Sequence, residues 1–344
     1  MHSISRRGLV ISAATASAAF GLNGPLAILS PAEAQGSGAG SGSGAAGAKH
    51  ANGSPTALVD KGFVKFKVGD VEVTQMYDGT WEKAHDPTFI KNASVDDTKA
   101  GLTAAGATDA YVPIPFTVTA VKMGGRTIMF DSGTGAQGAP TAGLIKKNDM
   151  LKAAGIDAAS ISAIIVTQFH PDHIFGLMEK DTNAQVFPNA EIIVPASEYG
   201  YWTDAGVMAK LPEARQPLAK RIQATFPTWK NIKQVENGKD AVAGVRAVAS
   251  NGHTPGHTAY VLGSGNQQLI VSGDVSNIAA LFVKNPGWHA VFDYDAAAAE
   301  ASRRALFDRA VADGAVVTGY HWGMPGAGTI KKDGNGYALV PVAV

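Results

Sequence analysis

Two short runs of consecutive apolar residues constrain the fold of this chain more than any other feature. Residues 163–167 read AIIVT and residues 191–194 read EIIV. A strand that is covered on both faces has this pattern, because neither face reaches water. We therefore expect a sheet with further layers of structure on both sides.

Alternating and helical segments surround these two runs. Residues 63–76 alternate around Gly69-Asp70, and residues 116–130 flank Gly124-Gly125, which predicts two β-hairpins. Four more strands are expected, at 245–249, 259–262, 269–272 and 315–318, with a turn at Ser264-Gly265-Asn266. Four helices are expected, at 144–151, 196–206, 212–226 and, capped by Asp295, 295–313. The order predicts an α/β fold with two mixed sheets and helices on the outer faces.

The N-terminal segment has the composition of an export signal. Ser5-Arg6-Arg7 precedes a small, apolar stretch at 11–29, and Ala32-Glu33-Ala34 follows. The paired arginines are similar to those of a twin-arginine signal, with an ordinary secretory signal or a retained anchor as alternatives. We predict a signal at 1–34, a Gly/Ser-rich linker at 35–55 and a folded domain at 56–344. The location is then periplasmic or secreted, with no membrane attachment once the signal is removed.

Composition limits the chemistry of the chain. There are no cysteines, which excludes disulfides, thiolate metal sites and cysteine nucleophiles. Any metal site must therefore use His, Asp, Glu or amide oxygen. Basic and acidic residues are equal at 29 each, so no field of one sign favours nucleic acid as a partner.

Polar clusters stand at the ends of the predicted strands. Gln168, His170, Asp172 and His173 directly follow the apolar run at 163–167. Three further clusters, each beside glycine, contain His253 and His257, then Asp274, then His321. Pro171 is unfavourable inside a helix, which predicts a loop at residues 168–173. Rigid strands can hold such side chains around one centre, and imidazole with carboxylate suits zinc, iron or manganese.

These motifs resemble those of the metallo-β-lactamase superfamily. Its members carry H-x-H-x-D-H, a distant His in G-H-T-x-G-H, an Asp in G-D and a C-terminal His. The resemblance covers nearly all of residues 60–344 and implies an αββα sandwich with two metal ions between the sheets. It implies a first metal held by Gln168, His170 and His253, a second held by Asp172, His173 and His321, and Asp274 as the bridging ligand.

The resemblance also implies a mechanism. A hydroxide between two divalent ions, zinc before iron or manganese, attacks the substrate, so no protein nucleophile is required. Asp172 and Asp274 are then the catalytic carboxylates. His257 and Asp131 are expected to support the ligands from behind. Asp293 is expected only to start a helix.

Gln168 departs from the family pattern, which has His at this position. An amide oxygen is a weaker donor than imidazole. Gln168 either ligates through oxygen and weakens the first site, or leaves that site vacant or selective for another metal. We expect ligation.

Three stretches are similar to the methyl parathion hydrolase and lactonase branch: residues 73–80, 252–258 and 325–342. That branch hydrolyses lactones, aryl esters and aryl phosphotriesters, so a small-molecule substrate is expected. Trp202 and Phe116 would line an aromatic pocket. The alternatives are a β-lactamase, an iron oxidoreductase of the same fold, or a non-catalytic metal- or ligand-binding protein degenerate at Gln168. Dimers occur in this branch, so a homodimer is one alternative to a monomer.

Overall fold

The computed structural model describes residues 48–137, 141–263 and 267–344. The predicted signal at 1–34 and the predicted turn at 264–266 lie outside these residues. Residues 48–55, which fall in the predicted linker, contact the folded domain. Ser54, for example, is buried, and its hydroxyl accepts a hydrogen bond from Met324 N at 2.8 Å.

The first sheet has seven strands that lie side by side in chain order. They are β1 (Phe63–Val68), β2 (Val71–Lys83), β3 (Val112–Met123), β4 (Arg126–Phe130), β5 (Ile161–Ile165), β6 (Glu191–Pro195) and β7 (Ile232–Val235). The pairs from β1 to β4 are antiparallel, and those from β4 to β7 are parallel. Both predicted hairpins are present, with Phe63 opposite Met76 and Thr119 opposite Phe130.

The second sheet also has seven strands. They are β8 (Asp240–Val242), β9 (Val245–Ala249), β10 (Thr258–Leu262), β11 (Leu269–Val271), β12 (Val316–Thr318), β13 (Ala327–Asp333) and β14 (Gly336–Pro341). β11 and β12 are parallel, and the other neighbouring pairs are antiparallel.

Ten helices, most of them short, cover the described sheets. They are α1 (Thr56–Lys61), α2 (Val95–Ala104), α3 (Leu144–Lys147), α4 (Met150–Ala153), α5 (Pro171–Ile174), α6 (Ala196–Thr203), α7 (Val207–Lys210), α8 (Gln216–Thr225), α9 (Ala279–Phe282) and α10 (Ala296–Asp313). The side chain of Asp295 caps α10 by accepting from Ala298 N at 3.0 Å, and Gly314 ends it, as predicted. None of the helices in the described segments is long and apolar enough to cross a bilayer.

Alternating side chains of the central strands divide the core into layers. On β5, Ala163 and Ile165 pack between the two sheets, whereas Ile164 packs under the helices of the first sheet. On β11, Leu269 points between the sheets and Ile270 packs toward α10. The predicted αββα sandwich is confirmed.

Several elements differ from the sequence prediction. α5 begins at Pro171, so the prediction of a loop there was wrong: proline is favoured at the first helical position, where no N–H is needed. The strands at 232–242 and 327–341 were not predicted. β7 and β13 carry exposed polar side chains, so their apolar pattern is weak, and β8 is only three residues long.

Candidate metal centre

The candidate ligands meet at one edge of the sandwich, where the two sheets open. The chain leaves β5 into residues 168–173, leaves β11 into Asp274 and leaves β12 into His321. His253 lies in the connection between β9 and β10. Since the carboxyl ends of neighbouring parallel strands face the same way, these segments converge.

Two groups of side chains could each hold a metal ion, and they share Asp274. One group contains Asp172, His173, Asp274 and His321; the other contains His170, His253 and Asp274. Within each group the potential ligand atoms lie within 4.8 Å of one another. His170 is partly exposed and the others are buried. The arrangement is a double site with one shared carboxylate.

Three histidines are oriented by acceptors outside the cluster. Their Nδ1 atoms contact oxygens: His173 contacts Asp131 Oδ2 at 2.9 Å, His253 contacts Asp293 Oδ1 at 2.8 Å, and His321 contacts Pro115 O at 2.8 Å. A carboxylate or carbonyl oxygen only accepts, so each Nδ1 carries the proton. Each Nε2 lone pair is thereby turned toward the cluster, as a metal ligand requires.

The converging atoms need a cation between them. Asp274 Oδ2 lies 3.1 Å from Nε2 of both His253 and His321 and 3.2 Å from that of His173. His170 Nδ1 lies 3.1 Å from His253 Nε2, and Asp274 Oδ1 is buried without a hydrogen-bond partner among the described residues. Buried lone pairs at these separations repel one another unless a positive charge is shared. The donor set therefore fits divalent metal ions.

The crowded carboxylates and imidazoles of the cluster attract protons for the same reason. Burial lowers the pKa of His253, but the Asp274 and Asp293 carboxylates outweigh burial and raise it to about 9. For His170 the Asp274 carboxylate does not outweigh burial, and burial together with the charge of His253 holds the pKa of His170 well below the ordinary value.

Gln168 lies inside the cluster. Its Nε2 is 2.7 Å from Asp274 Oδ2 and 3.0 Å from His173 Nε2, and its Oε1 is buried without a partner among the described residues. An unpaired buried amide oxygen is costly, and a metal ion would satisfy it. Ligation by Gln168 stays a prediction, because the amide now directs nitrogen toward the carboxylate.

Asp131 and His257 contact the ligand loops from behind. Asp131 adopts a left-handed backbone (φ 59°) and accepts from Thr167 N at 2.8 Å as well as from His173. It therefore supports His173 and the segment that follows β5. His257 Nε2 accepts from Asp274 N at 3.0 Å, and burial lowers the His257 pKa to about 3, so this imidazole is neutral.

Two glycines allow these close approaches. Gly273 has φ +52°, and a Cβ there would lie 2.7 Å from His257 Nε2. A Cβ at Gly252 would lie 2.1 Å from Ala299 N on α10. Both positions therefore require glycine for the backbone.

The prediction that Asp293 only starts a helix is wrong. Its side chain is 2% exposed and contacts His253, and its other oxygen lies 3.7 Å from Arg303 Nη2. Asp295, two residues later, is the cap of α10. The two aspartates look alike in the sequence, and only the tertiary structure separates their roles.

Glu198 was not predicted and ties the two ligand loops together. This buried carboxylate on α6 accepts from Phe169 N at 2.9 Å, from Thr254 Oγ1 at 2.9 Å and from Gly256 N at 2.8 Å. Burial raises the Glu198 pKa, and these donors oppose that effect. No motif marks Glu198, because its partners come from separate segments.

A cavity of about 300 Å³ opens onto the cluster. Outside the candidate ligands its wall is mainly apolar and aromatic, formed by Trp81, Ile114, Phe116, Pro171, Pro212, Ala214, Arg215, Leu218, Asn277 and Phe292. The Phe116 ring centroid lies 5.6 Å from that of His321.

Trp202 does not line this cavity, so its prediction as a pocket residue is corrected. Its side chain is 0% exposed, and its Nε1 donates to Glu198 at 2.8 Å. Trp81 and Phe292 provide aromatic rings instead. These residues were missed because the segments around them have weak periodicity.

The fold and the site agree with the comparisons to known proteins. The family model of the metallo-beta-lactamase superfamily matches residues 116–321, and the chain belongs to this superfamily. The predicted family is therefore confirmed. No curated protein matches the chain.

Solved structures indicate which branch of the superfamily the chain is similar to. AidC, described as a dizinc quorum-quenching lactonase in complex with a homoserine product, superposes with a TM-score of 0.75 at 26% identity, covering 82% of this chain and 98% of AidC. AbOPH, described as a hydrolase in the beta lactamase superfamily, gives 0.75 at 25% identity over 82% and 98% of the two chains. A probable metal-dependent hydrolase from Staphylococcus aureus, 17% identical with a TM-score of 0.63 over 81% and 100%, shares the fold. These neighbours agree with the predicted lactonase branch.

Proposed function

We propose that this protein is a hydrolase that holds two divalent metal ions, with zinc as the first candidate. Its proposed substrates are lactones, aryl esters or phosphotriesters. The shared position of Asp274 in two ligand groups carries the proposal. Lactones come first among these substrates, since the 26% identical AidC is described as a dizinc lactonase.

The proposed ligands are those that the sequence predicts. Asp172, His173 and His321 would hold one ion and His170, His253 and Gln168 the other, with Asp274 between them. Metal ions bound there would make water acidic enough to be deprotonated near neutral pH and would polarise the substrate oxygen.

The protein side chains fix the charge and orientation of this site. The carboxylates of Asp172 and Asp274 offset part of the metal charge. Asp131 and Asp293 hold the imidazoles of His173 and His253 in the tautomer that ligates. The apolar wall of the cavity takes the body of the substrate and excludes water from it.

Asn277 would bind a substrate oxygen. Its residue is 3% exposed, and its Oδ1 accepts from Ile278 N at 2.9 Å, which fixes the orientation of the amide. The Nδ2 group makes no hydrogen bond to another described residue, and Asn277 lines the cavity. An N–H donor in the wall of the cavity that Asp274 also lines can stabilise the oxygen on which negative charge develops.

Metal analysis combined with a substrate panel tests this function. The panel contains p-nitrophenyl esters, dihydrocoumarin, an acyl-homoserine lactone, paraoxon and nitrocefin. We expect two equivalents of metal and turnover of a lactone or an ester, with loss of turnover in Asp274→Ala.

Other outcomes of the panel identify the alternatives. Turnover of nitrocefin alone would indicate a β-lactamase. Iron as the retained metal would indicate an oxidoreductase, and loaded protein without any turnover would indicate a binding protein.

Export is part of the proposal. Ser5-Arg6-Arg7 and the apolar stretch after it support a twin-arginine route to the periplasm or the medium. Fractionation of cells that express wild type or a variant with both arginines replaced by lysine tests this route. Retention of the variant inside the cell is expected.

A further inference from the structure

Arg215 brings a positive charge into a cavity whose wall is otherwise apolar, apart from the candidate ligands and Asn277. The residue lies directly before α8 and is partly buried. Asp172 and Asp274 are the acidic residues of the wall, and both are candidate metal ligands. Once metal ions occupy the centre, the cavity has a net positive charge.

The guanidinium group is held in place beside the metal centre. Its Cζ lies 4.1 Å from the ring centroid of Tyr294, and its Nη2 donates to Phe292 O at 3.3 Å. The Tyr294 ring in turn stacks on His170, with centroids 6.1 Å apart and planes 30° apart. Tyr294 therefore contacts both Arg215 and the candidate ligand His170, and it positions the guanidinium beside the candidate centre.

Most of the hydrogen-bonding capacity of this guanidinium is unused. No carboxylate of the described residues lies within ion-pair distance of Arg215, whose polar contacts are with Phe292 O and the Tyr294 hydroxyl. Arg303, by contrast, donates to the carbonyls of Val275, Pro286 and Trp288. A guanidinium has five N–H donors in a planar fork that matches a carboxylate.

We propose that Arg215 binds an anionic oxygen group, a carboxylate, that the substrate carries away from its scissile bond. The substrates are then acidic esters or lactones: an apolar body fills the cavity, the acyl group reaches the metal centre and the carboxylate pairs with Arg215. A neutral carbonyl gains less from the guanidinium than a charged acceptor does. This inference rests on the proposed hydrolase function.

A matched pair of substrates tests the inference on the metal-loaded enzyme. Mono-p-nitrophenyl adipate and p-nitrophenyl hexanoate share chain length and leaving group but differ in the terminal carboxylate. We expect Arg215→Gln to lower kcat/KM for the acidic ester by about 10-fold to 100-fold, since a hydrogen bond to a charged group contributes about 1.5–3 kcal/mol. The neutral ester should change by less than about 3-fold, and Arg215→Lys should recover part of the preference.

Lys220→Gln is the control, because it removes one positive charge from an exposed position on α8 that does not line the cavity. It should leave both esters unchanged. Equal loss on both esters in Arg215→Gln would mean that Arg215 only maintains the structure. If Lys220→Gln lowered kcat/KM for the acidic ester as much as Arg215→Gln does, net charge alone would explain the effect. Either result overturns the proposal.

A binding measurement separates this inference from the hydrolase proposal. Calorimetry compares dicarboxylates, from succinate to suberate, with monocarboxylates of equal length on metal-loaded wild type and Arg215→Gln. We expect at least one dicarboxylate to bind wild type about 10-fold more tightly than its monocarboxylate, and the variant to lose this difference. Such binding without ester turnover would contradict the proposed hydrolase function but not the proposed role of Arg215. No difference in wild type would overturn the role of Arg215.

Discussion

At the scale of single residues, the candidate centre depends on which atom each side chain presents. His173, His253 and His321 have their Nδ1 protons held by oxygens behind them, so Nε2 faces inward. Gln168 has no such constraint, because an amide presents either oxygen or nitrogen. The weakest point of the centre is therefore the position where the chain departs from the family pattern.

We expect Gln168→His to increase the metal retained at the site of His170 and His253, because imidazole is a stronger ligand than an amide oxygen. Metal content per chain after mild dialysis measures the effect. Equal retention in wild type and variant would contradict a weak first site.

Asp293→Asn should weaken metal binding about 10-fold to 100-fold, because the carboxylate that orients His253 is lost. Competition with a chromophoric chelator measures the affinity. Asp295→Asn is the matched control: this exposed cap keeps its function, since Asn caps helices as well as Asp does. Equal affinities in the two variants would contradict the role of Asp293.

At the scale of elements, α6 and β2 each place one buried carboxylate against backbone N–H groups of other segments. Glu198 on α6 accepts from the loops that carry His170 and His253. Asp78 on β2 accepts from Thr134 N at 2.7 Å and Ile145 N at 2.9 Å. Both act on backbone N–H groups that would otherwise be buried and unpaired.

Glu198→Ala should destabilise the fold by at least about 2 kcal/mol, because buried donors on two loops lose their acceptor. It should also weaken metal binding, since the loops are no longer tied together. Urea unfolding and metal titration measure the two effects. Glu213→Ala, at an exposed position, should change neither. Normal stability in Glu198→Ala would exclude this role.

Asp78 should make stability depend on pH. Burial raises the pKa of Asp78 from 3.8 to about 6, so the folded state favours the protonated acid. The stabilisation that protonated Asp78 gives the folded state is complete below about pH 4. It is lost as the pH rises through 6, which lowers the free energy of unfolding by about 3 kcal/mol in total. The unfolding free energy of wild type should therefore fall relative to that of Asp78→Asn between pH 4 and 7. A difference that stays constant over this range would show that Asp78 does not titrate there.

At the scale of the whole molecule, the centre joins the two sheets. Its candidate ligands follow β5 in one sheet and β9, β11 and β12 in the other, so metal ions would connect the halves of the sandwich. Binding to the folded state alone stabilises a protein.

Removal of metal should accordingly lower the melting temperature by roughly 5–10 °C. This shift corresponds to about 2.7 kcal/mol, the stabilisation of the folded state by a ligand at about 100 times its Kd, in a domain of this size. Thermal unfolding in excess zinc and after chelation measures the shift, and added zinc should reverse it. His321→Ala should show a smaller shift. Identical melting with and without metal would exclude a structural contribution from the centre.

The layered fold, the central strands and the identity and order of the candidate ligands could all be predicted from the sequence. These features depend on local patterns: apolar periodicity over a few residues, and ligands that follow a strand directly. The tertiary structure alone decided the supporting contacts. Pro115 and His321 are 206 positions apart in the chain, Asp293 and His253 are 40 apart, and Trp202 turns toward Glu198 rather than the cavity. Such pairings form only when the sheets and helices pack together, because no local pattern records which distant side chain will fill a given space.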